Sequence, residues 1–411
     1  MWRMSDSTPT FAKEFHSRRA FLTSAAALFV TVACASREPD GGDAVADAVG
    51  DPEPWTLFIG TYTKSGASRG IYQVAVEPET LAFGEVGVAA ECADPSFLAL
   101  TPDGRTLVVV NELLEYEGQS AGSVSAFHHE VRGRVHTLTS IAPSRSSRGA
   151  APCYVAIDAS GRYALVANYM GGNVATYPLA ADGSLGEAVQ VTAHDGTGPD
   201  SKRQEAPHAH CIVLAPDNRF AISADLGADA LFVSAFNANT GKLTPATVPV
   251  VKLAPGAGPR HVAFSPDGRT LYCANELDST LAVFAYDAKN GTLTPTATVS
   301  TRPAGAQGTN APADLHVHPS GTAVYLSNRG DNTIAVFATD RNTGNVTLAQ
   351  TIPSGGDWPR NFTLTPDATG LLVAHQKSDS VVAFRIDAAT GQLTSTGQVL
   401  TTPVPVCLLF A

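Results

Sequence analysis

The sequence predicts an all-β, seven-bladed β-propeller of four-stranded antiparallel blades, with the ring closed by N- and C-terminal strands in one blade. Three observations predict it. A short apolar run, a turn of the Pro-Asp-Gly type and a second apolar run ending in a polar pair recur six times, as in FLALTPDGRTLVVVNE and VAFSPDGRTLYCANE. The turn residues Gly104, Gly161, Asn218, Gly268 and Gly321 are 57, 57, 50 and 53 residues apart, with no helical pattern between them. The chain ends are complementary: WTLFIGTYT, GIYQVAV and FGEVGVAA lack an innermost strand before the first repeat, and VCLLF supplies one after the last. Joined in a seventh blade, they remove the sheet edges that an open ring would expose.

Residues 1–35 read as an export signal rather than as fold. Ser17, Arg18, Arg19, Ala20, Phe21 and Leu22 form a twin-arginine motif, and Ala25 to Ala33 make an apolar stretch too short to span a bilayer. Two fates are open for this segment: cleavage after ACA at Ala35, or lipidation at Cys34, although Thr31 stands where a large aliphatic is usual. Either one takes the mature chain out of the cytoplasm, to the periplasm or beyond. Only a lipid on Cys34 would tie it to a membrane. Residues 36–54, acidic and rich in Gly, Pro and Ala, read as a flexible tether. The propeller is expected over residues 55–411.

Within each repeat, period-two alternation and polar turns mark four strands, labelled A (innermost) to D (outermost). In the second blade these are YVAIDA, RYALVANY, GNVATYPLA and GEAVQVTA. A hydrophobic content of 44% with 16% charged residues supports a large core. A net charge of −11 with no basic stripe argues against nucleic acid as a partner. Cys92, Cys153, Cys211, Cys273 and Cys407 lie in or beside apolar strands, and their odd number predicts buried thiols; a Cys153–Cys211 bridge is the alternative. No Cys-x-x-Cys pair or zinc spacing is present. The ring is expected to act as a monomer.

Strands A and B are antiparallel, so the start of A and the end of B share one rim, at the mouth of the central channel. The residues opening strand A are Ser96, Cys153, His210, Arg260, Ala313, Arg360 and Val406. Strand B ends in Asn111 with Glu112, Asn168 with Tyr169, Asp225 with Leu226, Asn275 with Glu276, Asn328 with Arg329, and His375 with Gln376. Arg260, Arg329 and Arg360 differ from blade to blade, which a repeat-wide structural role does not explain, so they read as anion-binding groups, with solvated rim charges as the alternative. Glu276 fits either a pair with a neighbouring arginine or a base. His210, with His208 nearby in PHAHC, is placed to titrate near neutral pH. The repeated Asn has two readings, a cap on the B–C turn or a lining of the site. On the second reading Asn168, Asp225, Asn275 and Asn328 join His208, Arg203, Arg360 and Gln376 as substrate-binding candidates. His316 and His318 alternate on an A strand like a metal-binding pair without a third ligand; they read as packing or rim residues, and no metal or other cofactor is expected.

At these residues the chain resembles the lactonase family of seven-bladed β-propellers, which includes the propeller-type 6-phosphogluconolactonases and the fungal carboxy-muconate lactonising enzyme. The matching segments include RQEAPHAHC, GPRHVAFSPDGRTLYCANELDSTLAVF, HPSGTAVYLSNRGDNTIAVF and WPRNFTLTPD, and the match runs from about Trp55 to Ala411. The resemblance implies that His210, Arg260, Glu276 and Arg329 are catalytic, and that a small-molecule lactone is hydrolysed or closed without a metal. Glu276 or His210 would deprotonate a water that attacks the ring carbonyl, while Arg260 and Arg329 hold the substrate and its oxyanion. No Gly-x-Ser-x-Gly elbow is present, so an acyl-serine is not suggested. The export signal sets this chain apart from the cytoplasmic chemistry of phosphorylated sugar lactones, so the expected substrate is a sugar lactone whose phosphorylation is open. A muconate-type lactonising cycloisomerase and a non-catalytic ligand-binding propeller are the alternatives.

Overall fold

The structure, a computed structural model, describes residues 53–411; the twin-arginine motif, Cys34 and the linker up to residue 52 lie outside the described residues. Seven four-stranded antiparallel sheets succeed one another along the chain, and no helix occurs among the described residues. Blades 1 to 6 occupy residues 95–146, 152–193, 209–252, 259–300, 311–353 and 359–401. Blade 7 pairs the C-terminal strand Pro405–Phe410, as its strand A, with Trp55–Thr61, Gly70–Val76 and Gly87–Glu91. The latch is antiparallel, with Leu57 opposite Phe410 and Gly60 opposite Cys407.

The core lies between blades rather than within them. Each of seven apolar clusters joins two adjacent blades: Cys211, Phe220 and Leu231 of blade 3 meet Leu271, Cys273 and Phe284 of blade 4, and Phe58 and Cys407 of blade 7 meet Leu98 and Leu107 of blade 1. Strand B shows the consequence. Tyr163–Asn168 and its counterparts in blades 1 to 6 are buried at every residue, because neighbouring blades cover both sheet faces. These strands therefore read as continuous apolar runs, and the period-two alternation survives in outer strands such as Thr292–Ser300.

The turn chemistry follows from backbone geometry. Gly104, Gly161, Gly268 and Gly321 have φ of 69°, 69°, 68° and 71°, and Asn218 has 58°. Ala368 occupies the same place in blade 6 at φ 58°, where its Cβ is strained. Ala368→Gly is expected to raise stability by about 0.5–1 kcal/mol, read from chemical denaturation; a loss of stability would contradict the strain.

One irregularity positions the site. At the start of strand A the register with strand B slips in every blade from 1 to 6, between Pro95 and Phe97, Pro152 and Tyr154, Ala209 and Cys211, Pro259 and His261, Pro312 and Leu315, and Pro359 and Asn361. The extra residue of each bulge is Ser96, Cys153, His210, Arg260, the Ala313–Asp314 pair or Arg360. A bulge residue is released from the ladder and its side chain re-aimed, which takes His210, Arg260 and Arg360 out of the alternation of their strands.

Cys92, Cys153, Cys211, Cys273 and Cys407 are all free thiols. Cys153 Sγ donates to His210 O at 3.4 Å, so the Cys153–Cys211 bridge is not formed.

Candidate active site at the channel mouth

Glu276 follows strand B of blade 4, and its carboxylate is only 5% exposed. Three guanidiniums converge on it. Arg329 Nη2 donates to Oε2 and Arg203 Nη2 to Oε1, each over 2.6 Å. Arg260 Nε stands 3.0 Å from Oε2 without the alignment of a hydrogen bond, which leaves this deeply buried donor with no partner. Arg203 arrives on the loop between blades 2 and 3. That loop is anchored by the buried Gln204, whose Nε2 donates to Leu226 O and Asp229 Oδ1. Burial alone would raise the pKa of Glu276, but Arg329, Arg260 and Arg203 outweigh it and hold the carboxyl far below its usual range. Glu276 is thus a poor proton acceptor and a firm anchor for three cations, which exceed it in charge.

His210 is the bulge residue of blade 3. Its ring meets Tyr169 and His261 edge-on, with centroids 5.3 and 5.4 Å away, and its Nδ1 lies 3.6 Å from Cys153 Sγ. Among the described residues nothing hydrogen-bonds its Nε2. Burial first, and then the charge of Arg260, keep His210 well below the ordinary histidine value. A neutral imidazole with one open nitrogen is the form a general base requires.

A second cluster forms on blades 6, 7 and 1. Arg360 Nη2 donates to Tyr62 Oη at 2.7 Å and stands 3.6 Å from Glu112 Oε2, to which Tyr62 donates at 2.8 Å. Arg329 also faces the ring of Trp358 at 5.5 Å from its centroid.

The structure shows what the remaining substrate-binding candidates contact. Asn168 Nδ2 donates to Ser147 O and Asn173 Oδ1, Asn275 Nδ2 to Thr280 Oγ1, and Asn328 Nδ2 to Thr301 O. These amide nitrogens are taken up within the protein, as the capping reading of the repeated Asn expects, while the buried Asn168 Oδ1 has no partner. Asp225 is fully buried. It accepts from His208 N and Ala228 N, and it holds His194, which reaches Ser223 at 3.0 Å and clamps blade 2 to blade 3. His208 is likewise engaged by the protein, with Nδ1 3.0 Å from Tyr169 O and its ring stacked on Tyr169. Gln376 stays a candidate, since its buried Oε1 has no partner. His316 meets Asp314 at 3.2 Å, and His318 meets Ser320 and Ala368 O.

Tyr62 and Trp358 were not anticipated as site residues. Tyr62 had a signal: it follows strand B of blade 7, in the column that contains Glu276. Trp358 precedes the strand-A proline, where other blades have Asp94, Ala151, Gly258 and Val404, and its aromatic ring is peculiar to blade 6.

A closed ring of seven four-stranded blades defines a class, and comparison with known proteins agrees on that class. The profile of the family described as "Lactonase, 7-bladed beta-propeller" matches residues 56–410. The chain belongs to this lactonase family of seven-bladed β-propellers, which places it among the lactone hydrolases. It is similar to the 6-phosphogluconolactonase of Bacillus subtilis, with 31% identity over 353 residues, 86% of this chain and 97% of that one. A 6-phosphogluconolactonase of Formosa agariphila is 29% identical over 82% of this chain and 94% of its own. The solved structure of the Pseudomonas aeruginosa periplasmic gluconolactonase is 34% identical, with a TM-score of 0.80, covering 87% of this chain and 99% of its own.

Proposed function

We propose that the chain hydrolyses a sugar lactone at the channel mouth, outside the cytoplasm. The observation that carries this is the unbonded Nε2 of His210, close to Arg260 of a cluster in which three guanidiniums meet the single carboxylate of Glu276. In the reaction a water oxygen bonds to the lactone carbonyl carbon while His210 Nε2 takes the water proton. Arg260 and Arg329 carry the oxyanion that forms on the carbonyl oxygen. The ring C–O bond then breaks, and the proton passes from His210 to the departing ring oxygen, giving the hydroxy acid. Glu276 aims the three guanidiniums rather than accepting the proton. The twin-arginine motif supports export, and the similarity to a periplasmic gluconolactonase favours an unphosphorylated aldonolactone over its phosphate.

The test is a panel of gluconolactone, its 6-phosphate and a muconolactone, followed by proton release. The gluconolactone is expected to be turned over, and Arg260→Ala to lower kcat/KM by about 10- to 100-fold, the worth of a hydrogen bond to a charged group. Wild-type turnover of the muconolactone alone would favour the cycloisomerase. Ligand binding without any turnover would leave a binding propeller.

A further inference from the structure

Beneath the mouth, the channel wall holds a buried carboxylate with no guanidinium on it. Asp314 follows Ala313 in the blade 5 bulge and takes five donors from three blades. Oδ1 accepts from His261 Nδ1 at 2.8 Å and from Leu315 N at 2.9 Å. Oδ2 accepts from Asn361 Nδ2 at 2.6 Å, Phe362 N at 3.1 Å and His316 Nε2 at 3.2 Å. A carboxylate so furnished stays ionised: burial would raise its pKa, but the histidines and the hydrogen bonds hold it below the usual carboxylate range.

The consequence falls on His261. With Nδ1 against an anion, its proton sits on Nδ1 and Nε2 keeps a lone pair. That nitrogen lies 3.1 Å from Arg260 Nη1, and a guanidinium can only donate. Both ends of the ring therefore require one tautomer, neutral and protonated on Nδ1. Burial first and Arg260 second push His261 down to about 4, in keeping with a neutral ring. Tyr154 packs edge-on against the ring at 5.2 Å and fixes its plane. Arg260 Nη1 makes one other hydrogen bond, to Ala313 O at 2.7 Å. The two acceptors thus pin one corner of the guanidinium and leave its Nε, which has no hydrogen-bond partner, on the Glu276 side.

We propose that Asp314 and His261 form a positioning pair for Arg260, the carboxylate fixing the imidazole in the tautomer that accepts from Arg260 Nη1 and so holding the guanidinium beside Glu276 with its unbonded Nη2 left for the reacting lactone. The proposal rests on the reading that Arg260 stabilises negative charge in the reaction. Asp314 also ties three blades together, and a purely structural role predicts a different outcome. In Asp314→Asn the anion that holds the ring proton on Nδ1 is gone, so the tautomer that accepts from Arg260 is no longer imposed. His261→Gln keeps an acceptor near the Nε2 position, whereas His261→Leu removes it.

The experiment uses the whole protein with 15N-labelled histidine. Nuclear magnetic resonance at pH 7 is expected to show His261 neutral and protonated on Nδ1. His261→Leu and Asp314→Asn are expected to lose about 10- to 100-fold in kcat, as supporting residues around reactive groups do, with KM nearly unchanged. His261→Gln should retain most of the activity, and adding Asp314→Asn to it should cost no further activity, whatever it does to the melting temperature. A His261 protonated on Nε2, or charged, in the wild type would overturn the proposal, as would a fully active His261→Leu. If Asp314→Asn does not fold, the tautomer and the two His261 variants still decide. A fully active Arg260→Ala, with the expected tautomer present, would instead refute the reading of Arg260 itself.

Discussion

Replacing His210 with alanine is expected to lower kcat by about 100- to 10,000-fold, the range lost when a positioned general base is removed. No other imidazole among the described residues at the mouth can substitute. His261 has both nitrogens engaged by Asp314 and Arg260, and His208 is held by Tyr169 O and Glu205. The pH dependence has a definite sign. His210 is kept below the ordinary histidine value, about 6.5, so it is already deprotonated at neutral pH. Activity should be flat from about pH 8 down through about pH 6.5 and fall only under more acidic conditions, as the ring takes up a proton and ceases to be a base. A profile of kcat/KM with its acidic midpoint at or above about 6.5 would refute the assignment, as would a His210→Ala variant of undiminished rate.

Glu276→Gln should damage stability and rate together. The carboxylate is nearly inaccessible and is met by Arg329, Arg203 and Arg260, of which Arg260 and Arg329 are themselves buried. Removing one partner of a buried ion cluster leaves the others desolvated and uncompensated, at a cost of about 3–5 kcal/mol. Because the folded-state pKa of Glu276 is depressed, its contribution is present above the unfolded value of about 4.3 and is lost as pH falls through the folded one. The loss in Glu276→Gln should therefore be full at about pH 7 and shrink on acidification, as read from urea denaturation at several pH values. kcat/KM should fall as well, since Arg260 and Arg329 lose the anion that aims them. A variant as stable as wild type at neutral pH would show that the three guanidiniums do not depend on Glu276.

Much of the site was legible because a propeller converts sequence period into angular position. Aligning six turns on Gly104 and its counterparts sets Arg260, Glu276 and Arg329 on one rim, and the structure joins all three. The same alignment overvalued Asn168, Asn275 and Asn328. A polar residue at a strand end shows no sign in sequence of whether its amide turns to the channel or back to a loop carbonyl such as Thr301 O. Asp225 misled for the same reason, its partner His194 lying in the preceding blade. Tyr62 was within reach of the column argument, whereas Trp358 had a repeat position but only its packing set it against Arg329.

The sequence by itself determined the strand count, the turns and the closure of the ring, because alternation, the glycines or Asn218 at positive φ, and the complementary chain ends are local properties of the backbone. Only the tertiary structure decided which polar groups meet. The bulge at the start of strand A re-aims His210, Arg260 and Arg360, and the loop anchored by Gln204 brings Arg203 to Glu276 from outside the repeat. Hydrogen bonds act over about 3 Å, and the spacing between blades at that scale is set by side-chain packing, which no periodicity along the chain records.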